Sequence, residues 1–468
     1  MKNIQCLKIR LIVVILIPII HVFSQTPIGL DEPTLNKIKN SFQLDRSTRS
    51  VMNAISNNDV KELAFNREFL QNHNNVFNVK TDAKGITDQK SSGRCWMFAG
   101  LNLMRPIIMK KHKLSSFEFS QAYLFFWDKL EKANFFLEAI IETREKDIED
   151  RELQTLLKSP IADGGWWNYF VNLIEKYGVV PKEIMPESVN SSKSIMMNEL
   201  LVNLLSQNAV ELRRHGKNVN ELRQLKMIVL KQVFKLLVVH LGVPPENFVW
   251  RCEDEDGNII AIESSPKTFY KETVGLDLKK YVTLFNYPVH PYDRHYQLKY
   301  CRNMFDMPDM NFINLDIDHL KTYTLKSLMN NEPVWFAADT KWNMEREHGI
   351  MKEGIYDFES LLDIKDTMTK AERIQYFTST PNHAMVFVAV DTVKNRPVKW
   401  RIENSWGEDT GEKGYFTMYN SWFDNYVYTI VIHQKYLPEK VIALLKTKPK
   451  VLPVWDPMRN SFEYNKSF

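Results

Sequence analysis

A change of texture near residue 380 limits the architectures open to this chain. Before it, the apolar residues recur with a helical period. "FEFSQAYLFFWDKLEKANFFLEAIIETREK" (117–146) and "WWNYFVNLIEKYG" (166–178) are long helical stretches, the second closed by Gly178 and Pro181. Helical pattern also runs from Cys95 to Lys111, with a kink expected at Pro106, and in two amphipathic segments between 194 and 242. After it come "HAMVFVAVD" (383–391), "VKWRIENS" (398–405), "GYFTMYNS" (414–421) and "YVYTIVIH" (426–433). These are short, β-branched and aromatic, and separated by turn signals, so an antiparallel sheet is expected. The fold class is therefore α+β, a helical N-terminal and central part joined to a β-rich C-terminal part. Residues 26–80 are mixed and polar, with no strong period.

Residues 1–24 have the order of an export signal. Lys2, Lys8 and Arg10 form a positive end, Leu11 to Ile20 an apolar segment, and Val22-Phe23-Ser24 a small-residue cleavage site before Gln25. The apolar run is short for a membrane span. Cleavage would remove three basic and no acidic residues and take the net charge from +4 to +1. Such a near-neutral protein carries no bulk charge argument for nucleic acid or acidic membranes. Cys95, Cys252 and Cys301 would remain. An odd count in an exported protein leaves at least one thiol free, while Cys252 and Cys301 are open to pairing or to separate core roles.

Cys95 lies in "DQKSSGRCWMF" (88–98), where a Ser-Ser-Gly turn should place it at a helix start. The helix dipole and unpaired backbone N–H groups there favour a thiolate. A thiol nucleophile also needs a base, a group to orient that base, and donors for an oxyanion. His383 opens the first strand of the β-rich part, Asn404 ends the second in "ENSWG", and Gln89 stands six residues before Cys95. Two strand ends of one sheet can bring the Asn amide to the imidazole. No zinc spacing surrounds His240 or His348, and no phosphate-binding glycine loop is present, so neither metal nor cofactor is expected.

"QKSSGRCWMF", "NHAMVFVAVD" and "WRIENSWGEDTGEKGYF" resemble the three active-site blocks of papain-like cysteine peptidases, in particular the bleomycin hydrolase and aminopeptidase C branch. Further matching blocks, among them "DGGWWNYFVNLIEKYGVVPKEIMPES", "EPVWFAADTK" and "VLPVWDPM", extend the resemblance over roughly residues 30 to 458. It implies a papain-like fold and a peptidase domain over 25–468. Within it lie a helical insertion at about 194–300 and a C-terminal arm at about 449–468. It also implies Cys95 as nucleophile, His383 as general base and acid, Asn404 as its orienting partner and Gln89 in the oxyanion hole. Trp406 would cover the Asn404–His383 contact, and Gly164 and Gly165 would receive the substrate backbone.

The resemblance implies peptide substrates with a free N-terminal amine and a homohexamer with its sites facing an inner chamber. Export would be a departure from relatives that are mostly cytoplasmic. Arg94 departs from the general papain pattern and fits the branch; Trp166 and Asn382 depart from the branch itself. The arm also runs on past "WDPM" as "RNSFEYNKSF", which raises an endopeptidase as an alternative outcome. Other readings are a nucleic-acid-binding or scaffolding homologue and a catalytically silent relative. The near-neutral charge speaks against the former, and intact Cys95, His383, Asn404 and Gln89 against the latter.

Overall fold

The computed structural model describes residues 29–214 and 218–459. The export signal expected at 1–24 and the last residues of the arm lie outside the described residues. Among the described residues no helix is long and apolar enough to cross a membrane.

The chain divides into a unit ending at Leu63 and a second beginning at Ala64, where a single domain from residue 25 was expected. The first unit contains the helices Glu32–Ser41 and Arg46–Asn57, in a stretch whose pattern had shown no strong period. Their signal was in the caps. Asp31 accepts from the Thr34 N–H at 2.9 Å and Asp45 from the Thr48 N–H at 2.7 Å, each relieving an unpaired N–H of the first turn.

The second unit is built on a mixed sheet of 12 strands. At its centre Val334–Ala338 lies between Val427–His433 and His383–Val393, and Arg396–Glu403 and Tyr415–Tyr419 follow outward. The four β-rich runs are thus all strands, but the fourth is separated from the first by Val334–Ala338, a short strand buried along its whole length. Beyond Val427–His433 come Tyr281–Phe285, Asn311–Asn314, Arg294–Leu298 and finally Lys450–Leu452. The pairings that join the four runs directly are antiparallel, as expected of them, while three pairings elsewhere in the sheet are parallel.

The His383 strand is buried on both faces. Ala384, Val386 and Val388 join the core on the helical side, while Met385, Phe387 and Val390 join a second core around Leu320, Trp422 and Phe423. Its continuous apolar run is the signature of a strand covered on both sides. The helices Cys95–His112, Gln121–Glu142 and Trp167–Tyr177 contribute to the first core. Ser120 caps the second of these, accepting from the Tyr123 N–H at 3.1 Å. Gly178 ends the third at φ 76°, and a Cβ there would come within 2.2 Å of the Pro266 backbone, so only glycine fits. The first runs through Pro106 to His112.

The helical insertion expected at 194–300 is shorter than that. Its helices are Ile195–Arg214 and Val219–Leu241, which bury Leu201, Leu205, Val233 and Leu237. Helix ends at Leu241 because Gly242 and the Pro244-Pro245 pair follow. Phe248–Glu253 and Ile259–Ser264 then form an antiparallel hairpin, and Tyr281–Phe285 and Arg294–Leu298 belong to the main sheet. The alternating burial of Phe248 and Trp250 against exposed Val249 and Arg251 is the period of a strand.

Candidate active site

Cys95 is the first residue of its helix. The residue before it, Arg94, provides no side-chain cap, so no capping group competes at the helix N-terminus. Instead the Arg94 side chain turns inward. It bonds Glu187 twice, at 2.9 and 2.8 Å, and Ser92 Oγ at 2.9 Å, and its guanidinium lies over Phe98 and Phe125. This accounts for an arginine beside the reactive thiol: it fastens the turn that presents Cys95.

His383 starts its strand and Asn404 follows the end of the antiparallel neighbour, which puts both at one end of the sheet. His383 Nε2 lies 2.7 Å from Asn404 Oδ1, and the Ser405 N–H donates to the same oxygen at 2.8 Å. An amide oxygen fixed as an acceptor requires the imidazole proton on Nε2. Nδ1 is then free to take a proton. The Trp406 ring stands 4.7 Å from the imidazole, and the Arg346 guanidinium lies over the indole.

Gln89 is held by the loop after Asn404. Its N–H donates to the Ser405 carbonyl at 2.9 Å, and its Oε1 accepts from Ser405 Oγ at 2.6 Å. Nε2 donates one hydrogen to the Ser92 carbonyl at 2.7 Å, which leaves its second hydrogen for another acceptor. The amide orientation follows from its partners on both sides.

Burial dominates the electrostatics of the pair. It pushes the Cys95 thiol up to about 12, opposed by hydrogen bonds from the backbone N–H groups of Ala384 and Trp96. It pushes His383 down to about 4, opposed by the bond to Asn404. Both shifts favour a neutral thiol and a neutral imidazole in the closed site. Desolvation thus acts against the resting thiolate that the helix dipole favours, and a neutral pair would pass the proton as the sulfur attacks.

Gly164 and Gly165 form a buried wall. A Cβ on Gly165 would lie 2.6 Å from the Trp96 ring, so the close approach that requires glycine is to the residue after the nucleophile. Beneath the wall is a set of buried charges that no local motif announced. Lys129 pairs with Asp163 at 2.7 Å, Lys132 pairs with Asp128 at 2.7 Å, and Lys132 also donates to the carbonyls of Ala162 and Gly164. Lys129 together with bonds from Ser194 and Gly93 holds the Asp163 carboxyl well below its usual range, against burial as the largest opposing effect. Lys132 thereby holds the carbonyls of Ala162 and Gly164, and Trp96 Nε1 holds that of Asp163 between them.

The departures at 166 and 382 have structural accounts. Trp166 is buried against Phe285. Asn382 donates to Asp339 at 2.6 Å and accepts from Thr340, so it braces the turn ahead of His383. Cys252 and Cys301 are not disulfide-bonded. The arm pairs as Lys450–Leu452 with Arg294–Leu298, and its Asp456 accepts from Tyr287. Arg459 then lines a small cavity together with Gly164, Ala162, Lys132 and Arg302, so the described part of the arm ends beside the glycine wall.

A helix bearing a thiol at its start, set against a sheet whose end carries a bonded His and Asn, is the arrangement of papain-like cysteine peptidases. The chain belongs to the Peptidase C1-like family, which its residues 29–459 match. It is similar to aminopeptidase C of Lactobacillus delbrueckii subsp. lactis, 41% identical over 392 residues that span 82% of this chain and 87% of that protein. It is also similar to bleomycin hydrolase of Homo sapiens, 37% identical over 446 residues, or 92% of this chain and 98% of that protein. Among solved structures it resembles PepW from Lactobacillus rhamnosis, with a TM-score of 0.89 and 39% identity, covering 92% of this chain and 99% of that one.

Proposed function

We propose that this chain is a cysteine aminopeptidase that hydrolyses amide bonds of small peptides through a thioester on Cys95. The observation that carries the reading is the 2.7 Å bond between His383 Nε2 and Asn404 Oδ1. It leaves Nδ1 as the base for a thiol whose neutral form burial favours. Cys95 Sγ attacks the scissile carbonyl carbon while its proton passes to His383. The carbonyl oxygen becomes an oxyanion, held by the Cys95 N–H and the second hydrogen of the Gln89 amide. The imidazolium gives its proton to the leaving amine as the C–N bond breaks, and the acyl group stays on sulfur. Water deprotonated by His383 then attacks the thioester, releasing the carboxylic acid and restoring the thiol. Gly164 and Gly165 receive the substrate backbone as an extended strand.

By likeness to the bleomycin hydrolase branch, selectivity for a free amine rests on the arm, whose described part ends at Arg459, beside Gly164. The residues beyond Arg459 bear on the register of cleavage. Deleting 463–468 should increase single-residue release, and deletion back to Pro457 should favour internal cleavage. A free-amine peptide and its acetylated twin, digested and read by mass, test the exopeptidase reading. Equal cleavage of both would replace it with an endopeptidase. Cys95→Ala should abolish either activity while leaving the fold intact, and unchanged turnover would refute the thiol mechanism.

Assembly as a homohexamer is supported by the likeness to the bleomycin hydrolase branch alone and is read out by light scattering. Export is supported by the order of charged, apolar and small residues in 1–24. A mature terminus near Gln25 in the periplasm or medium is the expected result, and an intact Met1 terminus from cytosol refutes it. The nucleic-acid or scaffolding reading is not favoured.

A further inference from the structure

Arg105 and Glu403 are almost fully buried, at 2% and 1% exposure, and neither belongs to the Cys, His, Asn and Gln set. Arg105 stands on the Cys95 helix, about three turns beyond the thiol. Glu403 is the last residue of its strand, directly before Asn404. The two side chains meet at 2.8 Å.

The guanidinium does more than close this pair. Its Nη2 also donates to the Gly85 carbonyl at 2.9 Å, and its Nη1 donates to Asn102 Oδ1 at 3.1 Å. Asn102 in turn donates to Thr87 Oγ1 at 2.9 Å. Gly85 and Thr87 lead into Gln89. The Gly407 N–H donates to the Thr87 carbonyl at 3.1 Å, which ties this segment to the loop after Asn404 a second time. One side chain therefore touches the helix that starts at Cys95, the segment that leads to Gln89, and the strand that ends at Glu403, directly before Asn404.

As a stabilising brace the pair is poorly made. Arg105 Nε and Glu403 Oε2 are buried without a hydrogen-bond partner. Burying two charges costs several kcal/mol each before they attract one another, and unsatisfied atoms add to that cost. Replacing a buried ion pair by apolar residues of similar volume is often neutral or stabilising. An interaction that stability does not favour, at the junction of three catalytic segments, calls for another role.

We propose that Arg105 is a positioning residue of the hydrolytic site. It couples the Gln89 segment, the Cys95 helix and the Asn404 strand, so that sulfur, oxyanion donor and imidazole anchor keep one relative geometry. The proposal rests on the peptidase reading above. Misplacement of a reacting group by about 1 Å is enough to lower a rate by about a hundredfold.

The test uses the full-length protein with Arg105→Met, Arg105→Lys and Glu403→Gln. Melting temperature, kcat and KM on a free-amine peptide are measured well below every melting transition, with concentrations set by titration of the reactive thiol. The Met and Gln variants should lose at least tenfold in kcat per titrated thiol, with KM within twofold. Lysine reaches Glu403 but lacks the fork that also reaches Gly85 and Asn102, so its kcat should fall between wild type and the Met variant. If kcat per thiol in the Met and Gln variants stays within twofold of wild type while only the melting temperature drops, Arg105 is a brace and the proposal is overturned. A Lys variant equal to wild type would overturn it as well, because the bonds to Gly85 and Asn102 would then be dispensable. Should the Met variant fail to fold, the Gln and Lys variants decide by the same criteria. Cys95→Ala is run alongside, since residual turnover there would refute the peptidase reading and not the role of Arg105.

Discussion

Asn404→Ala isolates what orienting the imidazole contributes. The substitution removes the oxygen that accepts from His383 Nε2 at 2.7 Å and from the Ser405 N–H at 2.8 Å, in a side chain only 1% exposed. In the resting site the lost bond joins neutral groups and contributes about 1 kcal/mol. In the transition state His383 carries a proton on each nitrogen, and a hydrogen bond from a charged donor contributes about 1.5–3 kcal/mol. The difference, about 0.5–2 kcal/mol, is the part that accelerates the reaction, and it corresponds to a fall in kcat of about 2–30-fold. Asn404 is buried behind Trp406 and does not meet substrate, so KM should hold within twofold. Stability pays separately: two buried N–H donors lose their acceptor, at about 1–3 kcal/mol each. The assay is steady-state kinetics per titrated thiol, with unfolding by denaturant on the same samples. A kcat within twofold of wild type in a folded Asn404→Ala would refute the argument, because imidazolium formation would then not depend on this oxygen.

Three further outcomes follow from the geometry. Gly165→Ala puts a Cβ 2.6 Å from Trp96, whose Nε1 is tied to the Asp163 carbonyl at 2.8 Å, so overpacking should cost about 1–3 kcal/mol and raise KM by shifting the wall; a variant as stable as wild type would mean that the indole yields. At neutral pH the Cys95 thiol and the imidazole should both be neutral, so the ultraviolet difference spectrum against Cys95→Ala should lack a thiolate band, and a full band there would restore the ion pair. Burial raises the Glu403 carboxyl from its ordinary 4.5 to about 7, with Arg105 opposing; Tyr415 faces it from the next strand. The folded chain thus holds this proton more tightly than the unfolded one. Its contribution to stability is present below about pH 4.5 and is lost as pH rises to about 7, by about 3 kcal/mol at most. Unfolding free energies of wild type and Glu403→Gln should therefore diverge over that window, and parallel curves would contradict the shift.

Cys95, His383 and Asn404 were legible as candidates because each sits in a short block that carries its own local cause, while Gln89 was marked only by its place six residues before Cys95 and by the family resemblance. A Ser-Ser-Gly turn starts a helix at Cys95, and the strands after His383 and before Asn404 announce themselves by β-branched and aromatic runs. Helix stops such as Gly178 are equally local, since a positive φ and a close backbone need no distant information. The strands between 281 and 338 were not legible, because a buried strand without alternation is short and apolar like many helix fragments. Sheet order was not legible either: Val334–Ala338 enters between two later strands only through pairing.

The charges that hold the site were least visible of all. Arg105 and Glu403 lie 298 positions apart, and Lys129 and Asp163 are on different elements. Taken singly, each reads as an ordinary solvated residue. Local order decides which groups can carry the chemistry, through turn, cap and strand preferences that act over a few residues. Only the packed structure decides which buried charge meets which, and whether burial or the helix dipole sets the state of the Cys95 proton, because desolvation and pairing depend on neighbours that the chain brings together from far along its length.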